Sequence, residues 1–130
     1  PFDDMARYMA FLTDSGSESS REIYRTVLER ESLEEMWVEE VPVQEEGGLR
    51  EAMALSFFLE ELDGATYVGH TGSQKAFFSF FYIHAETRTG VIAAFNSVGV
   101  GGGESPSPAT RTILNRLRAI FFSRVFPLFR

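Results

Sequence analysis

The stretch Ala76–His84 limits the possible folds more than any other. It reads Ala-Phe-Phe-Ser-Phe-Phe-Tyr-Ile-His. A strand alternates its side chains, so Phe77, Ser79, Phe81 and Ile83 take one face and Phe78, Phe80, Tyr82 and His84 the other. A sheet with one wet face would carry polar residues at every second place. Here both faces are aromatic, so both need cover, as in a sheet layered between helices. Gly90 to Asn96 reads as another strand, again apolar on both faces. Ala52 to Leu62 is predicted as one further strand. Asp63-Gly64 then predicts a type I′ hairpin that pairs it with Thr66 to Gly69.

Helices supply the cover. Residues 3–13 have Met5, Tyr8, Met9 and Leu12 on one face, with Asp3 or Asp4 as the cap. Asp14 to Ser20 reads as a loop and Arg21 to Arg30 as a second helix, with Ile23, Val27 and Leu28 inward. Ser32-Leu33-Glu34-Glu35 has capping-box spacing, which predicts a short helix from Leu33 carrying Met36 and Trp37. Val41 to Arg50, with Pro42 and Gly47-Gly48, is expected to be irregular. Ser107-Pro108 opens the last helix, with Ile113, Leu114, Leu117, Ile120 and Phe121 as its buried stripe. Arg111, Arg116 and Arg118 point away from that stripe, and Pro127 ends any continuation. The expected fold is α+β, an antiparallel sheet flanked by helices in a single domain or fragment spanning 1–130. Residues 1–40 are helical, 52–97 antiparallel strands, 98–107 a Gly-rich loop and 108–124 the C-terminal helix.

Charge and composition exclude several functions. A net charge of −7 argues against nucleic acid, whose binding needs Lys and Arg against phosphates. It argues equally against a polybasic membrane site. No apolar run approaches the roughly 18 residues of a membrane span, and no signal peptide is visible. The start at Pro1 reads as a cut or processed end. With no cysteine there is no thiol nucleophile or disulfide. No metal or other cofactor is expected: His70 and His84 sit on different strands without ligand spacing. The acidic residues from Glu29 to Glu40 read as a solvated face.

The chemistry-bearing stretch is Tyr67-Val68-Gly69-His70-Thr71-Gly72-Ser73-Gln74-Lys75. It reads as a small hydrogen-bonding segment set between strands, with a titratable ring, two hydroxyls and glycines that admit a ligand to the backbone. Gly69 to Gln74, then Phe77 to Ile83, then Thr89 to Ser97 and a final helix, together resemble the C-terminal end of the serine beta-lactamase-like hydrolases. These include class C beta-lactamases, D,D-peptidases and related esterases. Their third motif is Lys-Thr-Gly, or His-x-Gly in many esterases and peptidases; this chain has His70-Thr71-Gly72. Two family motifs are missing. The nucleophile's Ser-x-x-Lys cannot occur, because Lys75 is the one lysine and Gly72 stands three before it. No Tyr-x-Asn occurs either, since Tyr8, Tyr24, Tyr67 and Tyr82 precede Ala10, Thr26, Gly69 and His84 by two places.

The resemblance implies the C-terminal part of a beta-lactamase/transpeptidase-like fold, inactive without its reactive half. In it, His70 replaces the family's lysine and tunes proton transfer or positions the substrate. The Ser73 backbone N–H is one oxyanion donor, Thr71 hydrogen-bonds the substrate, and Gly72 lets it lie against the strand. Histidine titrates near neutral pH and reads a carboxylate less firmly than lysine, which favours an esterase or peptidase. The substrate is a small acyl, ester or peptide compound. The expected partner is the missing N-terminal half, or a second copy, along an unpaired edge beside Val91 to Asn96. A periplasmic or secreted location follows from the resemblance alone. Two other readings stand beside it: a free-standing, non-catalytic ligand- or protein-binding domain, and a metal or triad hydrolase complete in these 130 residues, the triad using Ser73 and His70.

Overall fold

A computed structural model describes residues 2–14, 16–46, 48–74, 77–96 and 108–129. Three helices come first: α1 (Phe2–Thr13), α2 (Glu18–Thr26) and α3 (Arg30–Glu35). Six strands follow: β1 (Val41–Glu46), β2 (Leu49–Ala54), β3 (Phe57–Leu62), β4 (Ala65–Gln74), β5 (Phe77–His84) and β6 (Thr89–Phe95). Helix α4 (Pro108–Ile120) runs on into a π-helical turn (Phe121–Val125) and a 3₁₀ turn (Phe126–Phe129). The strands form one antiparallel sheet in chain order, β1 to β6. The fold is therefore α+β, an antiparallel sheet with helices.

The alternation in β5 sets the layers as its sequence predicts. Ile83, with Phe81 beside it, joins a core with Met9 and Leu12 of α1, Tyr24 of α2 and Leu33 of α3. Phe80 and Tyr82 join a separate core on the other face with Tyr67, Phe122 and Phe126. There Tyr67 stacks on Phe122 with ring centres 4.4 Å apart. The Asp63-Gly64 hairpin also forms: both residues have positive φ, 51° and 76°, and Leu62 pairs with Ala65. His84 is buried and bonds the Thr87 hydroxyl through Nδ1 at 2.8 Å, within the turn between β5 and β6.

Several sequence expectations change. Val41 to Arg50 is a hairpin rather than irregular chain, with a bulge between Pro42 and Gln44. Every β1 residue is exposed, so the strand has no apolar alternation to read. Ala52 to Leu62 is two strands, turned at Leu55-Ser56 with Ser56 at φ 64°. A left-handed serine inside an apolar run gives no glycine signal. Helix α2 starts earlier, with Ser17 as its cap accepting from the Ser20 N–H at 3.1 Å, and buries Tyr24 while Ile23 and Val27 stay exposed. Helix α3 starts at Arg30, so the Ser32 capping box does not form, and Met36 and Trp37 lie past its end. On α4, Ile113 and Ile120 are exposed and Arg118 turns inward. Pro127 lies inside the terminal 3₁₀ turn. The Gly-rich loop 98–107, including Ser107, falls outside the described residues, as do Pro1, Lys75 and Ser97. Among the described residues, no helix is long and apolar enough to cross a membrane.

Candidate functional site

The His-Thr-Gly-Ser tetrad lies within β4, not in a loop between strands. Strand β3 begins only at Phe57, after the Ser56 turn, and pairs with β4 from Leu62–Ala65 to Phe58–Gly69. Strand β5 pairs with β4 from Val68–Ile83 through Gln74–Phe77. Strand β4 thus outruns β3. From His70 to Gln74, among the described residues, it is paired by β5 alone and no strand pairs with its other edge. Gly69 sits where the three strands crowd: a Cβ there would lie 2.1 Å from the Phe81 carbonyl oxygen and 2.4 Å from the Tyr82 ring. Any side chain at position 69 would push the strands apart.

His70 is exposed, and its ring stacks on Phe58 with centres 4.9 Å apart. Its Nδ1 lies 2.6 Å from the Thr71 carbonyl oxygen. A carbonyl only accepts, so Nδ1 is the donor, and Nε2 is the ring nitrogen that Thr71 does not engage. Thr71 is half-buried; Gly72 and Ser73 are exposed. A Cβ on Gly72 would lie 2.7 Å from Ser79 Oγ, so the bare glycine lets that hydroxyl rest against the strand.

His70, Thr71 and Gly72 line an open groove of about 640 Å³ between the sheet and the N-terminal end of α1. Phe2 and Met5 come from α1, Phe77 and Phe81 from β5, Ile92 and Ala94 from β6. Ser79 completes its polar side, and no Asp, Glu, Lys or Arg side chain lines it among the described residues. A mostly apolar groove with a few convergent polar groups is the usual form of a ligand site. Ser73 does not line it, and among the described residues His70 makes no hydrogen bond to Ser73 or to a carboxylate. No cluster of three or more His, Cys, Asp or Glu side chains is placed to hold a metal among the described residues.

A second polar cluster escaped the sequence reading. Glu60 of β3 is 1% exposed. Its Oε1 accepts from the Tyr82 hydroxyl and from Arg118 Nη1, the latter at 2.6 Å. Arg118 Nη2 donates to Glu51 Oε1 at 3.0 Å, and Gln44 Nε2 donates to Glu51 Oε2 at 2.7 Å. Glu60 Oε2 is buried and has no hydrogen-bond partner among the described residues. Burial pushes the Glu60 carboxyl up to about 7, against the opposing pull of Arg118 and the Tyr82 bond. Burial, then the Glu60 charge, also raises the Tyr82 hydroxyl. Burial pulls Arg118 down, but Glu60, Tyr82 and Glu51 outweigh it and hold the guanidinium above its ordinary value. One sequence signal was available: in Phe58-Leu59-Glu60-Glu61-Leu62, period two puts Glu60 on the face of Phe58 and Leu62. Comparison with models of known families, with curated proteins and with solved structures finds no match for this chain.

Proposed function

We propose that this chain forms one wall of an acyl-transfer site of the serine beta-lactamase-like kind, with the nucleophile supplied by residues outside it. The observation that carries this reading is the one-sided pairing of His70 to Gln74. A strand that stabilises an oxyanion must aim backbone N–H groups at open space, not at a ladder partner. In an antiparallel ladder, residues two apart aim their backbone groups at the same edge. Thr71 and Ser73 share that parity, and the Thr71 carbonyl accepts from a side chain, His70. This is consistent with the Ser73 N–H facing the open edge as an oxyanion donor. His70, with Nε2 as its acceptor, sits in the family's lysine position as a proton-transfer group. Thr71 and Gly72 hold the substrate, and the apolar groove takes its uncharged part. An acyl, ester or peptide compound fits those walls.

The two outer strands support a missing partner. Edge strand β1 carries Pro42, a bulge and the adjacent Glu45 and Glu46, all of which discourage further pairing. Edge strand β6, at the other end of the sheet, has Val91 to Phe95 without a charge or proline. An unguarded apolar edge is one that another strand covers, here from the reactive half or from a second copy.

Replacing Ser73 by Pro in the complete, nucleophile-bearing protein tests the wall. Proline removes the N–H, and turnover should fall at least about 100-fold, as for loss of one oxyanion donor. Ser73→Ala keeps the N–H and should leave turnover within a few-fold. Equal loss in both variants, or labelling of this chain's own serine by a fluorophosphonate, sinks the reading. An extended peptide held along the β4 edge without turnover would instead mark a binding domain.

A further inference from the structure

We propose that the polar hollow between the β1–β2 hairpin and α4 binds a primary ammonium group, with Glu60 as its buried anionic acceptor. This stands independently of the acyl-transfer reading. The hollow has a volume of about 190 Å³, and Gln44, Glu51, Glu60, Thr71 and Arg118 provide its polar lining. A second hollow of about 230 Å³ shares Gln44, Glu51 and Arg118 and adds Glu46 and Asn115. Three points define the occupant.

The first is an unfilled hydrogen bond. Glu60 Oε2 is enclosed with no donor among the described residues. A buried carboxylate oxygen left bare is among the costlier defects a fold can carry. The second is charge. Glu51 and Glu60 share the single guanidinium of Arg118, and Glu46 lines the second hollow beside them. Tyr82 from β5 is neutral, and Thr71 from β4 carries no charge. With Glu60 ionised, the cluster is one positive charge short before Glu46 is counted. The third is donor geometry. Arg118 gives Nη1 to Glu60 Oε1 and Tyr82 and Nη2 to Glu51, and among the described residues neither it nor any other donor reaches Oε2. A compact group with several N–H donors and one positive charge meets all three requirements, and a primary ammonium is that group. Thr71 lines both this hollow and the groove on the far side of β4, so a bound amine would lie beside the open strand edge.

The test is calorimetric titration of the full chain with n-propylammonium, tetramethylammonium, potassium and n-propanol. Tetramethylammonium has the charge but no donors; propanol has the size but no charge. At about pH 8, where Glu60 is ionised, propylammonium alone should bind. Its affinity should drop at least tenfold at about pH 5.5 and at least tenfold in Glu60→Gln. Thr71→Val, at the hollow's wall, should weaken it severalfold and covers the case in which Glu60→Gln does not fold. Equal affinity at both pH values overturns the proposal. So does binding of tetramethylammonium or potassium as tight as that of propylammonium. An absence of heat with every probe also overturns it, since the hollow would then hold water only.

Discussion

The two faces of the sheet are held by different physics. The face under α1, α2 and α3 is closed by Met9, Leu12, Leu33, Leu59, Val68 and Ile83, with no buried charge among its core residues. The face under α4 is closed by stacked rings and by an ion cluster, half-buried Glu51 and Arg118 with buried Glu60, capped by the Tyr82 hydroxyl. Apolar contact is non-directional and indifferent to pH. A buried ion pair is directional and tied to protonation, and losing one partner leaves the other charge stranded. One face should therefore yield gradually to substitution, and the other abruptly and as a function of pH.

The largest effect should come from Arg118→Met. It removes the one cation from two carboxylates and should cost about 4 kcal/mol near pH 8. Urea unfolding should show much of that loss restored near pH 4, where Glu60 is protonated. An equal loss at both values would mean that Arg118 acts through packing alone. Next comes the pH profile of the native chain. Glu60 titrates at about 7 in the fold and at 4.5 as a free side chain. Between those values the folded state binds more protons than the unfolded state, so stability must fall as pH rises through this window. The contribution is fully present below about 4.5 and gone above about 7, amounting to about 3 kcal/mol. Glu60→Gln should flatten that slope. A native chain whose stability rises from pH 5 to 7 would contradict this assignment. The smallest effect belongs to the other face. Ile83→Val should cost about 1 kcal/mol, the same at pH 5 and pH 8. A pH-dependent loss there would break the contrast between the faces.

The same contrast explains what the sequence made legible. Alternation of apolar side chains is a strong signal, so the double-sided character of β5, the two-layer cover and the Asp63-Gly64 hairpin could be read directly. Strand β1 could not, because its six residues are all exposed and its order comes from backbone pairing with β2. The turn at Ser56 hid inside an apolar run, because its left-handed residue is not glycine. Arg118 was placed outward because arginine normally is, and the feature that draws it inward, Glu60, lies 58 residues earlier in the chain. Of the candidate site, His70, Thr71, Gly72 and Ser73 were visible as a motif. The one-sided exposure of their strand was not, because it depends on where β3 starts.

That overhang has a consequence for how the backbone trades hydrogen with water. Where β4 lies between β3 and β5, both sets of amides are held in ladders. Past Gly69, one set is held by β5 and the other faces the open edge. Deuterium uptake from His70 to Gln74 should therefore run in a two-residue rhythm, slow at one amide and close to free-peptide rates at the next. A strand, peptide or substrate laid along that edge would slow the fast set and erase the rhythm.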